Sequence, residues 1–122
     1  MTAPVYIDVF TRRELPAAPT GEVIRLGDEP AAKYLVGPAL FDPQVNGFAG
    51  VDFQAPDLDV ASLEVAVEEI ARAGCSHILL TLISESGGFL EAQAAKVREC
   101  MKGSAMLRRA IAGIHLEGPF LW

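Results

Sequence analysis

The stretch that decides the fold is residues 77–83, which read HILLTLI and are apolar at every position except His77 and Thr81. A short, continuous apolar run of this kind is typical of a strand that is covered on both faces in a parallel sheet. Residues 110–116 (AIAGIHL) form another such run, and a further strand is predicted to end near Val45. These segments predict three parallel strands.

Two amphipathic helices are predicted between these strands. Residues 56–59 offer N-cap candidates, apolar residues then recur at helical spacing, and Gly74 ends the first helix. The second helix is expected from about residue 87 to residue 102, capped by residues 84–86 and ended by Gly103. The order β, α, β, α, β is typical of a parallel α/β unit, which occurs in doubly wound sheets and in (β/α)8 barrels.

The first part of the chain has a different pattern. Residues 5–10 are rich in β-branched and aromatic side chains, and residues 22–26 (EVIRL) combine charged side chains with β-branched and aliphatic ones. Both segments predict strands, and the prolines and glycines between them predict turns.

Composition excludes several classes of protein. The chain has 122 residues, of which 51% are hydrophobic and 21% charged, so it can bury enough apolar surface to fold. Its net charge of -6 argues against a nucleic-acid partner, and its longest apolar runs are far too short to cross a membrane. Cys75 and Cys100 lie far apart, and the first residues do not show the basic and then apolar pattern of a leader, so we expect a cytoplasmic location with reduced thiols.

The strongest candidate for chemistry is Glu117, which follows a buried strand and precedes a Gly-Pro pair. His115 lies two residues earlier and should share its side of the strand. A carboxylate there can bind a divalent metal or transfer a proton. The alternative interpretation is a core histidine bonded to a carbonyl group and a solvated glutamate.

Gln44 and Asn46 also lie two residues apart at a strand end, so their amides should face the same way. On these residues alone we favour a turn instead, because Asn46-Gly47 is a common turn dipeptide. At the next strand end, Thr81, Ser84 and Ser86 are interpreted as capping the following helix.

Two segments together resemble a known family: residues 41–53 (FDPQVNGFAGVDF) and residues 113–121 (GIHLEGPFL). Both are similar to the N-acetylglucosamine-6-phosphate deacetylases of the amidohydrolase superfamily. The resemblance covers roughly residues 38–122, with residues 74–83 where that family has its second barrel strand.

The resemblance implies an α/β fold that forms the N-terminal part of a (β/α)8 TIM barrel of amidohydrolase type, preceded by strands of a small β-sandwich domain. Residues 1–37 would belong to the small β domain, and residues 38–122 would supply the first three barrel strands and two helices. A complete barrel takes about 250 residues. We therefore expect an N-terminal portion whose partner is the remainder of the same polypeptide, and a homodimer at full length.

The resemblance also implies a reaction: hydrolysis of the N-acetyl amide of N-acetylglucosamine 6-phosphate to glucosamine 6-phosphate and acetate. Glu117 corresponds to the family's glutamate metal ligand, while Gln44, Asn46 and His115 would lie beside the metal or the substrate. Many amidohydrolases have His-x-His where this chain has Gln-Val-Asn, so we expect one divalent metal ion, with zinc before iron or another ion. The acid/base aspartate and two histidine ligands are expected beyond Trp122, and the 122 residues alone are expected to be inactive.

Other interpretations stay open. The chain could be a non-catalytic half-barrel that binds or assembles with another chain, or a complete small doubly wound domain. Within the amidohydrolases, the substrate could be another N-acyl sugar or a cyclic amide. The expected partner is an amino-sugar phosphate, with no nucleic acid and no membrane.

Overall fold

The computed structural model describes residues 4–17 and 33–119. The chain divides into two compact units, Met1–Ala39 and Leu40–Trp122. The sequence placed this boundary two residues earlier, between residues 37 and 38. The strand predicted at residues 22–26 lies outside the described residues.

The first unit contains a parallel pair of strands. These strands are β1 (Val5–Asp8) and β2 (Lys33–Val36), aligned so that Tyr6 lies opposite Tyr34. The two tyrosine rings stack, with their centroids 5.6 Å apart, which adds an aromatic contact to the backbone pairing. The β-sandwich expected for this part of the chain stays a prediction.

The second unit is built on a parallel sheet whose strands lie in the order β3, β6, β7. Its elements, in chain order, are β3 (Leu40–Val45), β4 (Gly47–Phe48), β5 (Val51–Asp52), α1 (Val60–Arg72), β6 (Cys75–Ile83), α2 (Gly87–Gly103), α3 (Ala105–Ala110) and β7 (Ile111–Glu117). The mixed α/β class and the parallel strands confirm the sequence prediction.

Helix α3 was not predicted, so the second unit has three helices in its described residues and not two. The sequence pattern predicts that the second helix ends at Gly103 and predicts no further helix before the last strand. Ser104 lies between α2 and α3 in an extended conformation, and its hydroxyl accepts a hydrogen bond from the Leu107 backbone N–H at 3.2 Å. This is an N-cap interaction, so Ser104 was a usable signal for a new helix. None of the helices in the described residues is long and apolar enough to span a membrane.

Helix α1 begins and ends where the sequence predicted. Asp59 is its N-cap and forms a reciprocal capping box with Ser62. Gly74 follows the helix with a φ of 101°, in the left-handed region that favours glycine. The chain then enters β6 directly.

The core lies between the sheet and the helices, and its fully buried apolar side chains come from every layer. They are Phe53, Leu63, Ala66, Leu80, Leu82, Val97 and Leu107. We expected β6 to be covered on both faces, and this is correct for only part of the strand. Thr81 is fully buried, whereas Ile83 at the strand end remains 37% exposed. The exposed end lies at the edge of the sheet where the candidate site is found.

Candidate functional site

The parallel sheet brings the carboxyl ends of its three strands to one edge. Val45 of β3 pairs with Leu80 of β6, and Ile83 at the end of β6 pairs with Glu117 at the end of β7. Because all three strands run the same way, side chains that follow or end them meet at this edge. The candidate residues of two distant segments are therefore collected in one place.

Glu117 accepts hydrogen bonds from both amides that the sequence singled out. Gln44 donates from Nε2 to Oε2 of Glu117 at 3.0 Å, and Asn46 donates from Nδ2 to the same oxygen at 2.7 Å. Hydrogen bonds to an ionised acceptor are among the stronger ones in proteins. The other oxygen, Oε1, receives no hydrogen bond from the described residues, so the carboxylate is held by one oxygen and can bind a ligand through the other.

The turn that we favoured at Asn46-Gly47 is found instead at Ala49 and Gly50. Strands β4 and β5 form a hairpin around these two residues, whose φ angles are 51° and 80°. Two consecutive residues with positive φ are typical of the tight turns that match the twist of a hairpin. Asn46 lies just before this hairpin, which leaves its side chain able to reach Glu117.

His115 faces Thr81 across the sheet. The two residues are register partners, and Nδ1 of His115 lies 3.4 Å from Oγ1 of Thr81. The core-histidine alternative predicted a carbonyl partner, whereas the observed partner is a hydroxyl group. Which group donates depends on the tautomer of the ring. The contact orients the imidazole at the same edge of the sheet as Glu117.

The helix-capping roles expected for Thr81 and Ser84 are wrong, whereas Ser86 is confirmed as the N-cap residue by its position alone. Thr81 is fully buried inside β6, and its hydroxyl also contacts the carbonyl oxygen of Leu79 at 3.4 Å. Ser86 occupies the N-cap position of α2, but its side chain makes no capping hydrogen bond to the described residues of the helix. A strand residue cannot reach a helix that begins several residues later, so the alternation of faces in β6 decides where Thr81 points.

Gln54 belongs to the same edge of the sheet, and the sequence analysis missed it. Its Oε1 accepts a hydrogen bond from the backbone N–H of Ile83 at 2.7 Å. Gln54 lies in the loop after β5, and a glutamine in a loop carries no periodicity or motif that would have identified it. Only the folded chain brings it to the end of β6.

His77 and Cys100 lie away from this edge. His77 is near the start of β6, where its Nδ1 lies 2.7 Å from the hydroxyl of Ser76. Cys100 is 6% exposed, and burial raises the pKa of its thiol, which disfavours the nucleophilic thiolate. Both observations fit structural roles for these residues.

The described residues do not form a complete metal site. Among residues 4–17 and 33–119, no three His, Cys, Asp or Glu side chains form a group that could hold a metal ion. A catalytic zinc site uses about three protein ligands. Glu117, with one oxygen fixed and the other available, fits one of them.

Comparison with known proteins points to one family, although no family model matches the chain. The N-acetylglucosamine-6-phosphate deacetylase of Bacillus subtilis (strain 168) is 28% identical to this chain over 86 residues. The match covers 69% of this chain and 21% of the relative. The chain therefore spans about a fifth of the length of this curated relative.

Two solved structures give the same result. The N-acetylglucosamine-6-phosphate deacetylase from Pasteurella multocida is similar with a TM-score of 0.58 at 28% identity, over 70% of this chain and 21% of that one. The deacetylase from Thermotoga maritima has a TM-score of 0.63 at 19% identity, over 98% of this chain and 32% of that one, and shows the fold alone. These findings confirm the resemblance to N-acetylglucosamine-6-phosphate deacetylases that residues 41–53 and 113–121 predicted.

Proposed function

We propose that this chain forms the first part of the active site of an N-acetylglucosamine-6-phosphate deacetylase. The complete enzyme would hydrolyse the N-acetyl amide of N-acetylglucosamine 6-phosphate and release glucosamine 6-phosphate and acetate. The observation that carries the proposal is the contact between the two family-like segments: Glu117 accepts hydrogen bonds from Gln44 and Asn46. We further propose that β3, β6 and β7 are the first strands of a (β/α)8 barrel in a cytoplasmic enzyme.

Glu117 is the residue that would hold a divalent metal ion, with zinc as the first choice. Its Oε2 is occupied by two amide donors, which leaves Oε1 to face the ion. When bound, the ion would supply Lewis-acid polarisation of the acetyl carbonyl and lower the pKa of a water molecule. The remaining ligands would come from residues outside the described part of the chain.

Gln44 and Asn46 would position the carboxylate of Glu117. Amide N–H groups stay neutral and keep their donors at every pH of interest, so they hold one carboxylate orientation without competing for its charge. Hydrogen bonds of this kind to a ligating carboxylate maintain its geometry and tune the metal. Because amides stand where many amidohydrolases have two imidazoles, this edge favours a single metal ion over a pair.

His115 would contribute on the substrate side. Thr81 contacts Nδ1 of its ring at 3.4 Å, which leaves Nε2 as the ring nitrogen that can meet a polar group of the substrate. An oriented ring loses less freedom on binding than a mobile one. The proton-transfer group for the leaving amine and the groups that bind the phosphate would come from elsewhere in the complete enzyme.

The proposal is tested by assaying the complete protein for acetate release from N-acetylglucosamine 6-phosphate, together with metal analysis. We expect about one metal ion per chain, activity that a chelator removes and zinc restores, and loss of activity in Glu117→Gln. Glu68→Gln is the matched control, since Glu68 is an exposed carboxylate on α1.

Other substrates separate the alternatives. The proposed substrate would be wrong if the enzyme preferred a non-phosphorylated N-acyl sugar, measured by acetate release, or a cyclic amide, measured by ring opening, to the sugar phosphate. A metal-loaded protein that binds the sugar phosphate without hydrolysing it would instead support a non-catalytic binding module.

A further inference from the structure

Strand β6 extends beyond the end of β3, its neighbour on one side. β3 ends at Val45, which pairs with Leu80, whereas β6 continues to Ile83. On its other side, β6 stays paired with β7 as far as the pair of Ile83 and Glu117. The backbone groups of Ile83 that point away from β7 therefore need a partner other than β3, because unpaired backbone groups are costly away from water.

Gln54 takes the place of the missing strand. The backbone N–H of Ile83 donates to Oε1 of Gln54 at 2.7 Å, and Nε2 of Gln54 donates to the carbonyl oxygen of Ile83 at 3.3 Å. A side-chain amide carries the same kinds of donor and acceptor as a peptide group. One side chain thus satisfies both backbone groups of Ile83.

We propose that Gln54 is a positioning residue for Glu117 and acts through the backbone of β6. Ile83 pairs with Glu117, and the next N–H, of Ser84, donates to the carbonyl oxygen of Glu117 at 2.7 Å. Holding Ile83 keeps this last pair of β6 and β7 formed. The carboxylate then stays within reach of Asn46, whose Nδ2 lies 2.7 Å from Oε2.

Gln54 can do this because its own loop is anchored. The carbonyl oxygens of Phe53 and Ala55, on either side of it, accept hydrogen bonds from Nε2 of Gln93 at 2.8 and 3.2 Å. Gln93 is 3% exposed and the side chain of Phe53 is fully buried. An amide that projects from a fixed loop loses little freedom when it binds. The hydrogen bonds of Gln93 and Gln54 thus connect helix α2, through the loop and the end of β6, to Glu117.

The inference rests on the proposed function for the role of Glu117 as a metal ligand, but its test does not depend on enzymatic activity. Gln54→Ala removes both hydrogen bonds to Ile83. Gln54→Glu keeps an acceptor for the Ile83 N–H and loses the donor, so it should restore part of the effect. Ser62→Ala is the control, because it removes the hydroxyl that bonds the backbone N–H and the carboxylate of Asp59 in the cap of α1 and so lowers stability without touching β6.

The measurements are NMR signals of the 122-residue chain. In Gln54→Ala, we expect backbone amide exchange at Ile83 and Ser84 to be about 10-fold faster than in Ser62→Ala at matched global stability. The side-chain amide signals of Gln44 and Asn46 should move toward their positions in Glu117→Ala. Gln54→Glu should give intermediate values for both.

The complete enzyme gives a second readout. Gln54→Ala should weaken zinc binding about 10-fold, with Gln54→Glu between it and the wild type. The inference is overturned if Gln54→Ala and Ser62→Ala match in exchange, amide signals and zinc affinity, since Gln54 would then only stabilise the fold. A wild-type protein without deacetylase activity would overturn the proposed function and leave the NMR comparison standing.

Discussion

Asn46 donates a hydrogen bond to Glu117 at 2.7 Å although 71 residues separate the two in sequence. Asn46 follows β3 and Glu117 ends β7, and β6 lies between these strands in the sheet. The contact therefore reaches across the end of the central strand. It forms because β3 stops short while β6 and β7 continue to Ile83 and Glu117.

Removing the Asn46 amide is expected to impair the proposed metal site. In the complete enzyme, Asn46→Ala should lower metal affinity or deacetylase activity about 10- to 100-fold, because the carboxylate of Glu117 loses its shorter hydrogen bond. Zinc titration against a competing chelator and acetate-release kinetics measure the two effects.

Gln44→Ala provides an internal comparison for this prediction. Both amides bind the same oxygen of Glu117, so the double variant should lose less than the sum of the two single losses. Strictly additive losses would show that Gln44 and Asn46 do not act through a shared carboxylate.

The contact between Thr81 and His115 predicts a change in the imidazole. Thr81→Val keeps the buried shape but removes the hydroxyl, so the ring nitrogen Nδ1 of His115 loses its partner. We expect the ¹⁵N chemical shifts of His115 to move, with a stability loss of about 1 kcal/mol. Thr81→Ser keeps the hydroxyl and should leave these shifts near their wild-type values.

His77 is the reference signal for that measurement. It contacts Ser76 near the other end of β6, so its shifts should not respond to either variant. Equal movement of both histidine signals would indicate a general change in the fold and contradict a specific contact.

The core predicts a large stability difference between two aliphatic truncations. Leu80→Ala should cost about 2 to 5 kcal/mol in the free energy of unfolding, because this side chain is fully buried and its loss leaves a cavity. Val65→Ala should cost far less, since Val65 on α1 is 50% exposed. Urea unfolding of the two variants tests this, and similar midpoints would contradict the described core.

The N-cap of α1 predicts that the stability of the fold depends on pH. The pKa of Asp59 is lowered from its ordinary value of 3.8, first by the backbone N–H of Ser62 and next by the Ser62 hydroxyl. A lowered pKa means that the carboxylate stabilises the fold fully above pH 3.8 and that this contribution is lost as the pH falls through the folded-state pKa.

Asp59→Asn tests the sign of this effect. Asparagine is also a good N-cap residue but does not titrate. The variant should be about as stable as the wild type at pH 7. Below about pH 4, where carboxylates become protonated, it should lose less stability than the wild type. Thermal unfolding between these pH values measures the difference, and parallel curves would contradict a role for the carboxylate.

Much of the fold could be predicted because its signals are local. The apolar run in residues 77–83 predicted β6, and the residues around Asp59 and Gly74 predicted both ends of α1. Periodicity and caps depend on neighbours within a few residues, which a sequence shows directly. Helix α3 was missed although Ser104 signalled it, because Gly103 was taken as the end of all helical structure before β7.

The candidate site was predictable only in part. Glu117 and Asn46 were identified, but on the residues alone a turn was favoured for Asn46. A turn was expected at Asn46-Gly47, whereas the structure has a hairpin turn at Ala49 and Gly50. Gln54 gave no signal, since its role depends on where β3 ends relative to β6.

The sequence by itself determined the three parallel strands, helices α1 and α2 between them, the α/β class and the likeness to one enzyme family, because these follow from local patterns and from two short motifs. Only the tertiary structure decided that one oxygen of Glu117 is held by Gln44 and Asn46. It also decided that Gln54 completes the end of β6 at Ile83. Such contacts depend on strand register and strand length, which are settled when the whole sheet packs against its helices.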